Sequence, residues 1–566
     1  MNRAEQLSYL ATCPVYDLVV VGGGATGLGV ALDAVLRGFS VLLLESHDFA
    51  GGTSSRSTKL LHGGVRYLAQ GNVSLVREAL AERAAVMNVA PHLAQPLPFV
   101  MPSYRWWQTP FYGLGLKLYD LLAGKAGLGH TELLDTEQTC QALPGVKPEG
   151  LKGGVKYWDG QFDDARLALA LARTVERAGG HLFNYMKVSH LQGLTGGRPD
   201  GARFELTLEN RREMGEYKVL ARSVVNATGV WVDALRKQSL TDSGQAQPEK
   251  IVTASQGVHV VVSRDFMPGH HALLVPRTQD GRVLFAVPWL GSLILGTTDT
   301  PRQDLPREPE PFESELDFIL REAGKVLSRP VMRSDVKSLW VGLRPLVATH
   351  QSANGTKSLS REHTIVTDTH GLITVTGGKW TTYRAMANEV MDACFEAGML
   401  PRRAGGASLG HALVGASASA AKVPLEAAPG WHLYGSEEPL VRACPGADRI
   451  LGMGLTEAMV RFAARHEYAW TVEDVLARRW RALFLDARQA LAMGPAVAAI
   501  LGSPGWWCAG GAGRVTIVVV VAPGRAWTRV GPPTRPVAAA LAGIGLRGTA
   551  RLLLTLSPPV AEAARS

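Results

Sequence analysis

A glycine-rich motif near the start of the chain could bind a dinucleotide. The β-branched residues 19–21 run directly into Gly22-x-Gly24-x-x-Gly27, and a second hydrophobic run ends at Glu45. The first glycine permits a tight turn, the second lets backbone N–H groups approach a pyrophosphate, and the third lets a helix pack closely on its strand. The Glu45 carboxylate can accept hydrogen bonds from a ribose. The predicted cofactor-binding residues of this unit are Gly22, Gly23, Gly24, Gly27 and Glu45.

The segment after Glu45 indicates which dinucleotide is bound. Residues 51–67 are dense in hydroxyls, glycines and cations, and a plain NAD-binding unit has no use for such a segment. A flavin ring must be walled in, so small residues let the backbone approach it while N–H and hydroxyl donors polarise it. Residues 223–229 and 371–384 repeat the pattern of a strand followed by a glycine turn. FAD is therefore the expected cofactor. Its further contacts are assigned to Thr53, Ser54, Ser55, Asn226, Ala227, Thr228, Gly229, Gly377, Gly378 and Thr381.

Six segments form an ordered set along the chain, at 53–68, 162–167, 226–229, 296–299, 342–346 and 377–384. The first contains Ser-Thr-Lys-Leu-Leu-His-Gly-Gly-Val-Arg-Tyr and the last reads Gly-Gly-Lys-Trp-Thr-Thr-Tyr-Arg. The set resembles the FAD-dependent glycerol-3-phosphate dehydrogenases over roughly residues 15–400. The resemblance implies oxidation of sn-glycerol 3-phosphate to dihydroxyacetone phosphate by hydride transfer to FAD, with the electrons passed to a membrane quinone.

The same resemblance places arginines around the substrate. Arg344 and Arg361 are the candidates for the phosphate, because a guanidinium fork matches phosphate oxygens bidentately. Arg66 lies in the flavin-proximal segment, where it would hold the substrate or orient the base. Lys379 follows two glycines and would contact the flavin or the substrate.

Two histidines compete as the base that takes the C2 hydroxyl proton. An imidazole titrates near working pH, which suits this role. His62 is favoured because it lies between a hydroxyl-rich segment and two glycines, a costly place for a purely structural imidazole. His259 lies on a predicted strand and would assist His62 or substitute for it. No metal site is predicted, since the five cysteines are scattered without paired spacing.

These residues need a fold of mixed class, α/β and α+β, to bring them together. A discontinuous Rossmann-like FAD-binding domain is expected from 15–100, 160–235 and 365–400. A substrate domain is expected from 101–158 and 240–362. Its β-rich runs predict an antiparallel sheet. These runs are 257–262, 272–276, 282–288 and 292–296.

The end of the chain divides into two unlike parts. Residues 405–502 are expected to form a helical C-terminal domain, with an amphipathic helix over 471–486. From residue 503 the helical pattern vanishes, and the sequence supports no prediction of regular structure. Residues 503–566 hold seven arginines, no lysine and one acidic residue. This composition fits either a frameshifted reading frame or a divergent tail.

The charge of the chain excludes one class of partner. The anomalous tail accounts for six of the nine net positive charges, so the remaining 502 residues are nearly neutral. Their cations are interleaved with acids, and no nucleic-acid partner is expected. At 566 residues and 46% hydrophobic content, the chain is long enough for two or three domains with sizeable cores.

Residues 105–125 mix tryptophan, tyrosine, leucine and basic side chains, which is typical of a helix lying in a bilayer interface. A helix packed on the substrate domain would have the same composition. The start of the chain lacks the pattern of a signal peptide, and no apolar run is long enough to span a bilayer. We therefore expect a cytoplasmic enzyme, peripheral on the inner face of the cytoplasmic membrane, and a homodimer is possible.

Two other functions remain open at this point. One is a soluble glycerol-3-phosphate oxidase that reduces O₂, or a relative among the amine and amino-acid oxidases. The other is a flavin-binding protein without turnover.

Overall fold

The computed structural model describes residues 3–64, 72–194, 198–213, 215–241, 248–347, 363–417, 423–502, 514–521 and 550–557. Its strands, numbered along the chain, are β1 Val15–Val21, β2 Val41–Leu44, β3 Leu60–Leu61, β4 Ala94–Ser103, β5 Glu132–Leu134, β6 Gly153–Phe162, β7 His181–Phe183, β8 Met186–Gly193, β9 Phe204–Asn210, β10 Glu216–Asn226, β11 Val252–Ser263, β12 Ala272–Val275, β13 Leu284–Trp289, β14 Ser292–Gly296, β15 Thr300–Arg302, β16 Ser338–Val347, β17 Thr364–Thr367, β18 Ile373–Thr376, β19 Ile450–Gly452, β20 Leu455–Thr456, β21 Arg514–Val521 and β22 Ala550–Ser557.

The α-helices are numbered in the same way. They are α1 Arg3–Leu10, α2 Ala25–Leu36, α3 Val73–Val89, α4 Gln108–Ala123, α5 Thr136–Ala142, α6 Asp164–Arg177, α7 Val232–Thr241, α8 Glu313–Val326, α9 Tyr383–Glu396, α10 Glu438–Arg442, α11 Glu457–His466, α12 Ala482–Leu485 and α13 Ala487–Leu501.

The first sheet carries the glycine-rich motif. It has the strand order β17-β18-β10-β1-β2-β7, and a meander of β8 and β9 continues from β10. Strand β1 pairs in parallel with both β2 and β10. Side chains of β1 alternate between two cores: Leu18 and Val20 pack with α2, α6 and α9, whereas Val19 and Val21 pack with the meander. Burial on both faces explains why this strand is a continuous apolar run.

Within the described ranges, the second sheet has ten strands in the order β15-β11-β14-β13-β12-β4-β6-β3, with β16 paired to β11 and β5 to β6. The four predicted β-rich runs correspond to β11, β12, β13 and β14, and the pairs among them are antiparallel. One face of the sheet packs against α8 and the other against the C-terminal helices. The structure is therefore of the expected mixed class, with a Rossmann-like sheet beside a largely antiparallel one.

The chain crosses between the first and second sheets at positions that differ from the domain boundaries expected from the sequence. Strands β4 and β6 pair antiparallel over ten residues each, from Ala94 opposite Phe162 to Ser103 opposite Gly153. The expected boundaries near residues 100 and 160 therefore fall inside these strands. Their pairing joins segments about fifty residues apart, and no local pattern in the sequence reveals such a contact.

The C-terminal region is helical, as expected, but the helix predicted over 471–486 is divided. Residues Asp474–Arg479 form a π-helical segment, and α12 begins only after Arg481. The backbone φ of Arg481 is +66°, which a right-handed helix cannot contain. In the tail, β21 and β22 pair antiparallel. Within the described parts of the chain, no helix has both the length and the apolar character needed to cross a bilayer.

Candidate active site

One cavity of about 1700 Å³ lies where the first and second sheets meet. It is lined by the glycine-rich loop, the segment after β2, the ends of β10 and β18, and strands β11 and β16. Small-molecule pockets commonly have volumes of roughly 300–1,000 Å³. This cavity is large enough to hold a dinucleotide together with a substrate.

The glycine loop leaves no space for side chains. Gly22 has a φ of +116°, and a Cβ there would lie 2.4 Å from the carbonyl oxygen of Ala227. A Cβ on Gly27 would lie 1.9 Å from the carbonyl oxygen of Gly22. The first glycine thus allows the loop to approach the end of β10, and the third allows α2 to approach the loop.

Glu45 ends β2 beside this loop. Its carboxylate accepts hydrogen bonds from the N–H groups of Gly23, at 2.8 Å, and His47, at 2.9 Å. Burial raises the pKa of Glu45, and these two bonds oppose the rise. An ionised carboxylate has about four acceptor positions. Glu45 can therefore both fix the loop and accept the expected bonds from a ribose.

The segment after β2 is anchored to several parts of the site. The Oγ atom of Ser54 accepts a hydrogen bond of 2.9 Å from the N–H of Ala25, the first residue of α2. The indole nitrogen of Trp380 donates to the carbonyl oxygen of Ser54 at 2.8 Å. The hydroxyl of Thr53 donates to the carbonyl oxygen of Leu343 at 2.5 Å. Together with the glycine turn and Glu45, this wall fits a bound dinucleotide.

Asn226 differs from its neighbours in the turn after β10. It is fully buried and is absent from the cavity wall. Its Nδ2 donates to the carbonyl oxygen of Val232 at 2.9 Å, and its Oδ1 accepts from the hydroxyl of Thr228 at 2.8 Å. Asn226 therefore shapes the turn that presents Ala227, Thr228 and Gly229 to the cavity.

The predicted site residues fall into three groups. Those that line the cavity are Gly22, Gly24, Glu45, Thr53, Ser54, His62, Ala227, Thr228, Gly229, His259, Arg344, Gly377, Gly378, Lys379 and Thr381. Those that lie behind its wall are Gly23, Gly27, Ser55 and Asn226. Arg66 and Arg361 lie outside the described residues.

His259 is 2% exposed and lies on β11. Its Nε2 is 2.8 Å from the hydroxyl of Thr58, while its Nδ1 has no partner among the described residues. The imidazole stacks on the Trp340 ring, with centroids 5.1 Å apart and planes at 17°. Burial lowers the pKa of His259 well below its usual range, and the nearby cations Arg344 and Lys59 lower it further. The imidazole is thus neutral at neutral pH, as a base must be.

Arg344 lies on β16, opposite Ser255 of β11. Its guanidinium donates to the hydroxyl of Thr297 at 2.9 Å and to the carbonyl oxygen of Thr298 at 3.0 Å, and it lies 3.4 Å from Asp299. A Cβ on Gly257 would lie 2.2 Å from this guanidinium. The glycine therefore makes room for Arg344, and the 297–299 turn holds it in the cavity wall.

His62 lies at the end of the segment that begins with Thr53. His62 lines the cavity, and its carbonyl oxygen accepts a long hydrogen bond of 3.5 Å from the hydroxyl of Thr381. The structure thus brings both candidate bases, His62 and His259, to the same cavity as Arg344 and Lys379.

A buried group of charges supports this segment, and the sequence did not reveal it. Lys59 is fully buried, and its Nζ donates to Asp164 at 2.6 Å and to the carbonyl oxygen of Ser55 at 2.8 Å. Asp164 also accepts from the N–H and the hydroxyl of Ser57. Arg481, from the C-terminal region, donates to the same Ser55 carbonyl at 2.8 Å. Because a buried charge is costly unless paired, this network fixes residues 55–59.

The cavity favours anions. Among the described residues that line it, seven are lysine or arginine and only three are aspartate or glutamate. The sequence predicted two of the seven, Arg344 and Lys379. The other five are Arg56, Lys187, Arg211, Arg282 and Arg307. Only Arg56 had a signal in the sequence, since it lies in the cation-rich segment after β2.

The sequence is similar to known families and proteins that bind FAD or act on glycerol phosphates, in agreement with the cavity described above. The pattern of the FAD dependent oxidoreductase family matches residues 17–384, and that of the C-terminal domain of alpha-glycerophosphate oxidase matches residues 420–509. The mitochondrial glycerol-3-phosphate dehydrogenase of Mus musculus is 39% identical over 535 residues, covering 88% of this chain and 72% of the relative. That of Schizosaccharomyces pombe is 37% identical over 551 residues, covering 87% and 84%.

A solved structure shows the same similarity. The glycerol-3-phosphate dehydrogenase from Bacillus halodurans, complexed with FAD, matches with a TM-score of 0.68 and 29% identity, over 88% of this chain and 92% of that one. The L-alpha-glycerophosphate oxidase from Mycoplasma pneumoniae, at 16% identity and a TM-score of 0.52, shares the fold. The chain therefore belongs to the FAD-dependent oxidoreductases, within them to the glycerol-3-phosphate dehydrogenase family, and FAD is its cofactor.

Proposed function

We propose that this enzyme oxidises sn-glycerol 3-phosphate to dihydroxyacetone phosphate and passes the electrons to a membrane quinone. One observation carries the proposal: Arg344, His62 and His259 line one cavity together with the glycine loop that fits FAD. The names of the relatives support this substrate. The relatives are named glycerol-3-phosphate dehydrogenases, and the matches cover most of both chains.

In this proposal each residue has a separate task. Arg344 binds the phosphate, because its fixed guanidinium offers donors in the geometry of phosphate oxygens. His62 takes the proton of the C2 hydroxyl, and His259 assists it or takes its place. Bound FAD supplies the acceptor for the hydride that leaves C2. Lys379 adds positive charge where the anionic substrate lies, and Arg66 and Arg361 are proposed to complete the site.

Anaerobic reduction of the flavin tests this function directly. The holoenzyme is mixed with glycerol 3-phosphate without oxygen, and the loss of the flavin absorbance is followed. Rapid bleaching is expected with glycerol 3-phosphate and almost none with glycerol, because only the former carries the phosphate. Bleaching by amino acids instead, or by neither alcohol, would contradict the proposal. Reoxidation by a soluble quinone analogue that is faster than by O₂ would support the quinone as acceptor.

The helix α4 supports a peripheral contact with the membrane. Its outer face exposes Phe111, Leu114 and Leu121, of which Leu114 and Leu121 are each 76% exposed, and Trp106 just before the helix is 81% exposed. Large exposed apolar patches are uncommon on soluble proteins and mark interaction surfaces. Phe111, Leu114 and Leu118 also line the cavity. A bilayer covering this face would therefore lie next to residues of the cavity wall, where a quinone would approach the flavin.

Flotation with phosphatidylglycerol and phosphatidylethanolamine vesicles tests the membrane contact. Leu121 is suited to the test because it is exposed and lies outside the cavity wall. Leu121→Glu should reduce vesicle binding, whereas Leu440→Glu, at an exposed leucine of the C-terminal region, should not. Equal binding of all three proteins would exclude this helix as the contact. We further propose a position on the inner face of the cytoplasmic membrane, and sedimentation would test the possible homodimer.

A further inference from the structure

Helix α4 presents two very different faces. Its buried residues, Gly113, Leu116, Tyr119 and Ala123, form one stripe, and the opposite side is exposed. Tyr119 and Ala123 pack in a small cluster with Val76 and Leu80 of α3, apart from the large cores. Tyr119 is 1% exposed. Its ring is therefore at the point where α4 meets the body of the enzyme.

The Tyr119 hydroxyl reaches past this cluster to the active-site segment. It accepts a hydrogen bond of 2.9 Å from the N–H of Gly63 and donates one of 3.2 Å to Oδ2 of Asp159. Burial raises the pKa of Tyr119 well above its usual range. The hydroxyl therefore keeps its proton at working pH, and it can donate to Asp159 while it accepts from Gly63.

The N–H of Gly63 belongs to the same peptide group as the carbonyl of His62. That carbonyl accepts from the hydroxyl of Thr381, in the cavity wall near β18. The peptide is thus bonded on one side to α4 and on the other to the wall that fits the cofactor. Because a peptide group is planar, bonds at both of its ends fix the position of the His62 Cα, from which the imidazole projects.

The surroundings leave this peptide little freedom. A Cβ on Gly63 would lie 2.4 Å from the Tyr119 hydroxyl and 2.7 Å from Leu80. Asp159 is held in turn by Arg83, whose guanidinium donates to Oδ1 at 2.9 Å and to the carbonyl oxygen of Ala126 at 2.9 Å. The network therefore ties α3, α4, the turn after α4 and β6 to one peptide bond of the site.

We propose that Tyr119 is a positioning residue: it fixes the His62–Gly63 peptide from α4, so that this cavity-lining helix sets where His62 lies. The inference rests on the proposed function, in which His62 acts on the substrate. Tyr119 touches neither substrate nor cofactor in this role, and it acts only through the peptide.

The variant Tyr119→Phe tests the proposal, because it keeps the ring in its cluster and removes only the hydroxyl. The variant leaves the buried N–H of Gly63 without its acceptor. The free-energy cost of such a loss corresponds to a change in rate on the order of tenfold. The limiting rate of anaerobic flavin reduction by glycerol 3-phosphate should fall by that factor, with the apparent Kd of the substrate and the FAD content unchanged. An unchanged limiting rate, or a raised Kd alone, would overturn the proposal.

Tyr104→Phe is the matched control, since the Tyr104 hydroxyl donates to the carbonyl oxygen of Lys147 at 2.9 Å and lies outside the cavity wall. In Tyr104→Phe, glycerol 3-phosphate should reduce the flavin at the wild-type rate. An equal fall of the limiting rate in both variants would indicate a general loss of structural stability instead. Hydrogen exchange of residues 60–64 gives a second readout. Exchange there should be slow in the wild type and faster in Tyr119→Phe than in Tyr104→Phe.

The exchange readout also separates this inference from the proposed function. If glycerol 3-phosphate does not reduce the wild-type flavin, the proposed function fails, and the exchange of residues 60–64 alone decides whether Tyr119 holds the peptide. If Tyr119→Phe does not fold, rapid exchange of the Gly63 amide in the wild-type protein would overturn the inference, and slow exchange would support it.

Discussion

The hydroxyl of Thr58 lies 2.8 Å from Nε2 of His259, and this hydrogen bond joins the segment after β2 to the second sheet. Thr58 is flanked by Ser57 and Lys59, which both donate to the buried carboxylate of Asp164. The ammonium of Lys59 also lies 4.8 Å from the centre of the Trp340 ring, on which His259 stacks. The position of His259 is therefore set jointly by the second sheet, by the segment after β2 and by a buried ion pair.

The glycine loop gives the first prediction. Gly22→Ala should weaken FAD binding by about tenfold or more, because the new Cβ would meet the Ala227 carbonyl at 2.4 Å in a backbone conformation that costs about 1–3 kcal/mol for an L side chain. The FAD content of the purified protein measures the effect. Gly324→Ala is the control, since it lies in α8 with open space around it, and it should retain FAD fully. Full retention in Gly22→Ala would contradict the loop assignment.

Arg344 gives the second prediction. Arg344→Ala should raise KM for glycerol 3-phosphate by about 10–100-fold, because a hydrogen bond to a charged group contributes about 1.5–3 kcal/mol. Activity on glycerol, already poor, should change little, because glycerol lacks the phosphate. Steady-state kinetics on both compounds measure the difference. Arg333→Ala removes an exposed arginine paired with Glu313 and Asp317 and should behave like the wild type. Equal losses on both compounds would indicate a folding defect instead.

The buried side chain of His92 gives a prediction about how the stability of the protein depends on pH. Burial lowers the pKa of His92 to about 3, from about 6.5 in an unfolded chain. The folded protein keeps His92 neutral while the unfolded chain takes up a proton, so stability falls as the pH drops below about 6.5. The loss for one such group is about 1.4 kcal/mol per pH unit.

Thermal midpoints between pH 7.5 and 5.5 test this. The midpoint should fall with pH, and the fall should be smaller in His92→Gln than in the wild type. His130→Gln, at an exposed histidine, is the matched control variant. A wild-type midpoint that rises on acidification would contradict the sign of the argument.

The glycine loop and the strands around it could be predicted from the sequence, because their signals are local. A turn that needs positive φ requires glycine, as at Gly22, and a strand buried on both faces is continuously apolar, as in β1. His259 was a candidate as an imidazole on a predicted strand, whereas Arg344 was a candidate through the resemblance to the glycerol-3-phosphate dehydrogenases.

The supporting contacts could not be predicted, because their partners are distant in the sequence. Lys59 meets Asp164 and Arg481 only after the two sheets and the C-terminal helices have packed. Asn226 was assigned to the cofactor from its place in a motif, yet its side chain turns to the core. No local pattern shows on which side of a turn an amide side chain lies.

The last prediction separates the two histidines. A general base acts in the chemical step, so its removal should cost on the order of 10²–10⁴ in rate while binding is largely spared. His62→Ala should keep FAD and substrate affinity but lose anaerobic flavin reduction. The loss should be smallest at high pH, where the substrate hydroxyl ionises more easily. If His259 only binds the substrate or has a structural role, His259→Ala should mainly raise the apparent Kd of the substrate.

Thr58→Val is the added control for His259, since it removes the hydrogen bond to Nε2 while keeping the shape of the side chain. It should have little effect on the limiting rate if His62 is the base. If His259 is the base, Thr58→Val should slow flavin reduction, because the imidazole would lose the group that orients it. Stopped-flow reduction that survives in His62→Ala and collapses in His259→Ala would therefore assign the base to His259. A parallel loss in Thr58→Val would support that assignment, because Thr58 bonds the His259 imidazole.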